Sequence, residues 1–502
     1  MTDICKKKRP GQLILAAVFL GYLIFNGILL SRHEPWRDEA NVWLMARELT
    51  PLQLLAEIRY QGHPCLWYLL VMPFAKAGLP FGMMGGISYC IMAATAGLFL
   101  MKAPFHILTK AALLFSPIFT YYYAEIARNY CLIALFLVLL AIYYPQRNER
   151  CVLYGLLLGL LVQSDTVVLM AAGMISLMWL WEALMLCYRQ KSAAPFVRIL
   201  RGLWIPLFSL LFLAVQFYRV SDSPVFQVSS FGAGDLIRET RSYAYWILER
   251  LTGRGQGFCL VFFLFSLVFL LAASIKVRNP WAAGVIGAAY LFQAAFSVVV
   301  YQLHIWHFIA LCFVFIWTVW VFYCQKEERK TEGRGIKGVL LGLEGLLAVI
   351  AACMFIQWNS QEESSGLKNA LYGLYSDGGN TADYIRENIP QEEVVVSVNV
   401  PMASTVLAHL PEYDFFFGGN GYKESYADWS QEQDRQVSFD ALLTWAETNF
   451  PGKTQFYLLD SGGTCLTDPE RLADYQVLYQ TGQETARGEE YRIYKIDING
   501  NG

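Results

Sequence analysis

Hydrophobic residues come in long runs up to about residue 357, at 11–30, 83–101, 107–123, 127–145, 151–163, 165–187, 201–218, 257–275, 280–301, 304–324 and 338–356. A helix needs roughly 20 apolar residues to cross a bilayer, so these runs predict membrane spans. Run 151–163 is short for a lone crossing and predicts a helix buried among neighbours. The stretch 63–80 is ambiguous between a span and a re-entrant segment. Between runs the period changes: Leu236, Thr240, Ala244, Ile247 and Leu251 share one helical face with charges opposite. That pattern predicts an amphipathic helix over 235–251, either lying on the leaflet or packed as a connector.

After Gln357 the pattern becomes that of a soluble domain. Helices are predicted at 381–388, 403–410 and 439–450, and strands at 394–398, 413–417 and 456–460. Two alternating runs, 475–480 and 491–498, read as a hairpin. Alternating helix and strand predicts a small α/β domain with a mostly parallel sheet, and no glycine-rich nucleotide-binding motif accompanies it. The fold class is therefore mainly α, a polytopic transmembrane bundle of about 11–13 spans over residues 1–357. Residues 358–502 follow as an α/β domain.

Composition agrees with lipid as solvent: 56% of residues are hydrophobic and 16% charged, with mean hydropathy +0.37. The net charge of −2 hides an asymmetry. From Trp358 onward 9 Lys+Arg face 23 Asp+Glu, a net of −14, which leaves 30 against 18, a net of +12, for the bundle. Basic residues accumulate on cytoplasmic loops, so Lys6 to Arg9 put the N-terminus inside. Arg147 and Arg150, the cluster 189–201, Lys276 with Arg278, and Lys326 to Lys337 mark further inner loops. The loops 31–62 and 218–256 and the acidic C-terminal domain then lie outside a cell membrane. If Lys102 and Lys110 are also inside, 63–80 must begin and end outside, or one basic loop breaks the rule. The 11 cysteines lie mostly in apolar runs and show no zinc or disulfide spacing, and nothing has the basic, aromatic character of a nucleic-acid binder.

Three stretches concentrate chemistry at the predicted outer face. Arg37-Asp38-Glu39 opens a helix, where carboxylates are favoured by the dipole but where one can also accept a proton from an attacking hydroxyl. Gly62-His63-Pro64 offers a lone histidine able to bind phosphate or ligate a divalent metal. Tyr121 to Tyr130 sets Glu125 and Arg128 between two apolar runs, where Arg128 either pairs with Glu125 or clamps a phosphate. His304 and His307 begin a late span at the same face.

In this order, Asp38-Glu39, His63-Pro64 and Ala127-Arg128-Asn129-Tyr130 resemble the C-type glycosyltransferase superfamily, in particular bacterial relatives of protein O-mannosyltransferases and aminoarabinose transferases. The resemblance covers about the first 145 residues, with later spans matching as topology. Two departures stand out: Glu125-Ile126 displaces the acidic residue of the aromatic stretch, and Trp306-His307 stands where relatives carry an arginine. The resemblance implies a sugar donor on polyprenyl phosphate and transfer with inversion to an extracytoplasmic glycan, lipid or protein hydroxyl. Asp38 and Glu39 are its implied catalytic residues. Arg128, Arg37, His307 and His304 are its implied phosphate ligands, and His63, Glu125 and Tyr130 its implied substrate contacts. The competing reading is a polytopic transporter or flippase. Apolar mid-span positions and the lack of an internal repeat speak against it.

Overall fold

The structure, a computed structural model, describes residues 9–218, 232–330, 334–360, 366–418, 425–429, 436–461 and 465–498. Lys6 to Lys8, residues 219–231 of the 218–256 loop and residues 331–333 of the last basic loop lie outside the described residues. Helix α1 (Arg9–Leu30) leads into α2 (Arg37–Glu48), α3 (Pro51–Glu57) and α4 (Leu66–Lys76). Then follow α5 (Met83–Lys102), α6 (Ile107–Leu114), α7 (Tyr130–Tyr143), α8 (Cys151–Val162), α9 (Leu169–Gln190) and α10 (Ala194–Gln216). The bundle closes with α11 (Ala233–Thr252), α12 (Gln256–Val277), α13 (Trp281–Val299), α14 (Ile305–Glu328) and α15 (Arg334–Ser360).

Among the described residues, 8 helices are long and apolar enough to cross a membrane, and three shorter apolar helices accompany them. Helix α14 is apolar on every side and is 89% buried over its most hydrophobic window, which makes it the bundle's centre. Helix α4 has 11 residues and rises only about 16 Å, half of a ~30 Å hydrocarbon core. It packs against α2. The run 107–123, expected as one span, is broken. Helix α6 stops at Leu114, and after a turn Tyr121–Glu125 winds as a π-helix. The amphipathic stretch forms α11 with Ile247 and Leu251 buried against the bundle, so it serves as a packed connector.

The C-terminal region adds α16 (Leu367–Tyr372), α17 (Gly378–Asn388), β1 (Val395–Ser397), α18 (Val400–His409) and β2 (Phe415–Phe417). It continues with α19 (Phe439–Asn449), β3 (Gln455–Ser461), β4 (Gln476–Gln480) and β5 (Tyr491–Asp497). The sheet order is β2-β1-β3-β5-β4. The pairs β1–β2 and β1–β3 are parallel, while β3–β5 and β4–β5 are antiparallel, so the sheet is mixed and not mostly parallel. Side chains alternate across it. Val395, Leu459 and Ile493 join the core that continues into the helical bundle, whereas Val396, Leu458 and Ile496 pack with α19 in a second core. The domain is thus cemented to the bundle on one face.

Candidate active site

Helix α2 starts where Trp36 N–H donates to Glu39 Oε2 at 3.1 Å. The same oxygen accepts from His33 Nε2 at 2.9 Å, and Glu39 Oε1 accepts the Ala127 amide at 2.6 Å. Glu39 is 1% exposed. It staples the start of α2 to the turn before α7, and it is not among the residues that line the cavity described below. Glu125 likewise does not line that cavity; it is buried 3.7 Å from His33 Nδ1, and burial pushes its carboxyl up to about 8.

The staple brings Arg128 to Asp38. Arg128 Nη1 donates to Asp38 Oδ2 at 2.5 Å, and Arg37 Nε lies 4.0 Å from Asp38 Oδ1. Burial alone would raise the Asp38 carboxyl, but the charges of Arg128 and Arg37 and the Arg128 hydrogen bond outweigh it and hold it below the usual carboxylate range. Arg128 therefore pairs with Asp38, not with Glu125 as the sequence allowed. Asp38 Oδ1 makes no hydrogen bond among the described residues.

Asp38 opens on a cavity of about 570 Å³ at one end of the bundle. Its walls include Arg37, His63, Arg128, Tyr130, His304 and His307, so six of the residues proposed alongside Asp38 converge there. Their freedom differs. His307 Nδ1 accepts the His304 amide at 2.9 Å and its Nε2 lies 3.2 Å from Tyr130 Oη, so both ring nitrogens are engaged within the protein. His304 stacks on Trp306 at 4.7 Å between ring centres. Arg37 points its Nη1 at Met402 of the C-terminal domain, and its amide donates to Glu489 Oε1 at 2.9 Å.

Sequence reasoning missed three contributors. Asp165, at the turn between α8 and α9, accepts from His63 Nδ1 at 3.2 Å, from Asn129 Nδ2 at 2.7 Å and from the Val167 amide at 2.9 Å. Its signal was available, since an ionisable residue between two apolar runs is a functional candidate by default. It holds the His63 ring through Nδ1 at the cavity wall. Trp429 and Arg487 line the same cavity from the C-terminal domain, and no local pattern in that domain pointed to them. Among the described residues no group of three His, Cys, Asp or Glu side chains is placed to hold a metal ion.

This polytopic bundle, with an acidic-headed helix beside the first span and a C-terminal domain capping the same end, shares its fold with a solved bacterial protein, ArnT. The crystal structure of ArnT from Cupriavidus metallidurans bound to undecaprenyl phosphate matches over 97% of this chain and 98% of that chain, with TM-score 0.50 and 12% identity. The same protein in the apo state matches over 98% of each chain, with TM-score 0.49 and 12% identity. No protein-family model and no curated protein sequence matches the chain. At such identity the likeness is one of fold.

Proposed function

We propose that the protein is a membrane glycosyltransferase that moves a hexosyl or pentosyl group from a polyprenyl-phosphate donor to an acceptor hydroxyl, with inversion. The observation that carries this reading is Asp38, a carboxylate held ionised by Arg128, with one oxygen free at the cavity. In support, the fold is shared with a protein crystallised with undecaprenyl phosphate. In the proposed step the acceptor oxygen attacks the anomeric carbon from the face opposite the phosphate, and its proton passes to Asp38 Oδ1. The bond from carbon to phosphate oxygen breaks, and its electron pair leaves with the polyprenyl phosphate, which gains one negative charge. Cations at the wall favour that charge in a water-poor pocket. His63, aimed by Asp165, and Tyr130 would orient sugar or acceptor hydroxyls. The acceptor would be a glycan, lipid or protein of the cell envelope.

The test is release of polyprenyl phosphate from a panel of polyprenyl-phosphate sugars by the full chain in lipid nanodiscs supplied with envelope acceptors. Asp38→Asn keeps size and loses proton acceptance, and should slow release roughly 10²–10⁴-fold, the range of a lost general base. Equal turnover in the two proteins would remove Asp38 from the chemistry. Transbilayer movement of the lipid without release would favour the transporter reading.

A further inference from the structure

Three guanidinium groups and two carboxylates face the cavity: Arg37, Arg128 and Arg487 against Asp38 and Asp165. Arg128 is committed to Asp38, Arg37 lies 4.0 Å from the other Asp38 oxygen, and Asp165 is held by His63 and Asn129. Arg487 is left over. Its Nε donates to Tyr375 Oη at 2.6 Å, and its guanidinium carbon lies 4.3 Å from the Trp36 ring centre, 4.9 Å from Tyr375 and 5.4 Å from Trp306. Among the described residues no carboxylate pairs with it. Aromatic faces hold a cation in place but do not neutralise it, and a desolvated charge without a counter-ion is costly.

Arg487 is also rigidly carried. It sits between β4 and β5, two residues before Glu489, a buried carboxylate that accepts from the Arg37 amide, from Ser376 Oγ at 2.6 Å and from Thr405 Oγ1 at 3.0 Å. The Ala486 amide donates to Leu374 O at 2.8 Å. The loop is therefore fixed on both sides of the arginine, as a preorganised binding group requires.

We infer that Arg487 binds the donor phosphate, so the C-terminal domain supplies an essential part of the active site. The inference rests on the glycosyltransferase reading above and assigns its leaving-group cation. Among the described residues neither Nη group makes a hydrogen bond, so the two can meet two phosphate oxygens. As the sugar–phosphate bond breaks, the electron pair moves onto a phosphate oxygen facing Arg487, and the proton goes to Asp38 on the opposite side of the sugar.

The experiment compares binding of undecaprenyl phosphate and undecaprenol to the full chain by native mass spectrometry. Wild type should prefer the phosphate, and Arg487→Gln should lose that preference by roughly 10–100-fold, the worth of a charge-assisted pair, while keeping undecaprenol binding and melting temperature. Arg471→Gln, which removes a cation of the same domain that pairs with Asp440 and does not line the cavity, should keep the preference. Should Arg487→Gln not fold, Arg487→Lys, which keeps the charge and loses the fork, carries the test. Wild-type affinity for the phosphate in the folded variant overturns the inference and leaves the donor reading standing. A wild-type protein with no preference for the phosphate overturns the donor reading itself.

Discussion

Glu39, His33 and Glu125 form a buried row of ionisable groups. Burial pushes Glu125 up to about 8, the Glu39 charge adds to this, and His33 works against it. A carboxyl whose folded value is raised holds its proton longer when folded than when unfolded. It stabilises fully below its unfolded value of about 4.5, and that contribution is lost as pH rises through about 8. His33 acts in the same direction. Burial pulls its ring down, but Glu39, by charge and hydrogen bond, and then Glu125 and Glu34 lift it above its ordinary value. Melting temperature should therefore fall as pH rises from 5 towards 8.5, and Glu125→Gln should flatten that slope. An unchanged slope in Glu125→Gln would place the titrating group elsewhere. Asp38 behaves oppositely: held low by Arg128, it stays ionised across this window, and its contribution is lost only as pH falls below the ordinary carboxylate range.

Helices α8 and α10 cross at a point where side chains have no room. A Cβ on Gly155 would lie 2.1 Å from Gly202 O, and a Cβ on Gly202 would lie 2.0 Å from Cys151 O. Close backbone approach through small residues is how helices associate where lipid removes the hydrophobic drive. Helix α8 has 12 residues and ends at Val162, just before Asp165, so its seat on α10 sets the height of the Asp165 turn. Gly202→Ala should destabilise by roughly 1–3 kcal/mol or more, the cost of overpacking, and should displace Asp165 from His63. Gly287→Ala on α13, with nothing within 4 Å, should be neutral. Measuring the melting temperature of both variants in one detergent checks the contrast.

At the scale of the molecule, the C-terminal domain and the cavity share one end of the bundle. Asn41 and Gln61 tie Ala427 to α2 by three hydrogen bonds of 2.7 to 2.9 Å, and Tyr491 Oη donates to Met402 O at 2.9 Å. At the other end Arg147 is locked by Glu182 at 2.8 Å and Glu328 at 2.7 Å. The loop charges predict that the Arg147 end is cytoplasmic and the acidic domain is extracytoplasmic. A single cysteine introduced at exposed Tyr372 should react with an impermeant maleimide in intact cells, and reaction only after lysis would invert the orientation.

The hydrophobic pattern was enough for the helical bundle, most of its helices and the order of strands and helices after Gln357. Long apolar runs have no stable place other than lipid or a core, and period-two alternation admits only a half-buried strand. Asp38, His63 and Arg128, singled out as polar groups beside apolar runs, and Tyr130, reached through the family resemblance, line one cavity in the structure. Pairing was beyond the hydrophobic pattern. Whether Arg128 meets Glu125 or Asp38 depends on Glu39 bridging from α2 to the Ala127 amide, a contact 88 residues apart in sequence. The 107–123 run breaks at Ser116-Pro117, a helix-breaking signal that hydrophobicity alone does not weigh. Arg487 was invisible for the same reason as the Arg128 pairing, at larger distance. In sequence it is one arginine in a polar loop, and only the packing of the β4–β5 loop beside the start of α2 brings it between Trp36 and Trp306.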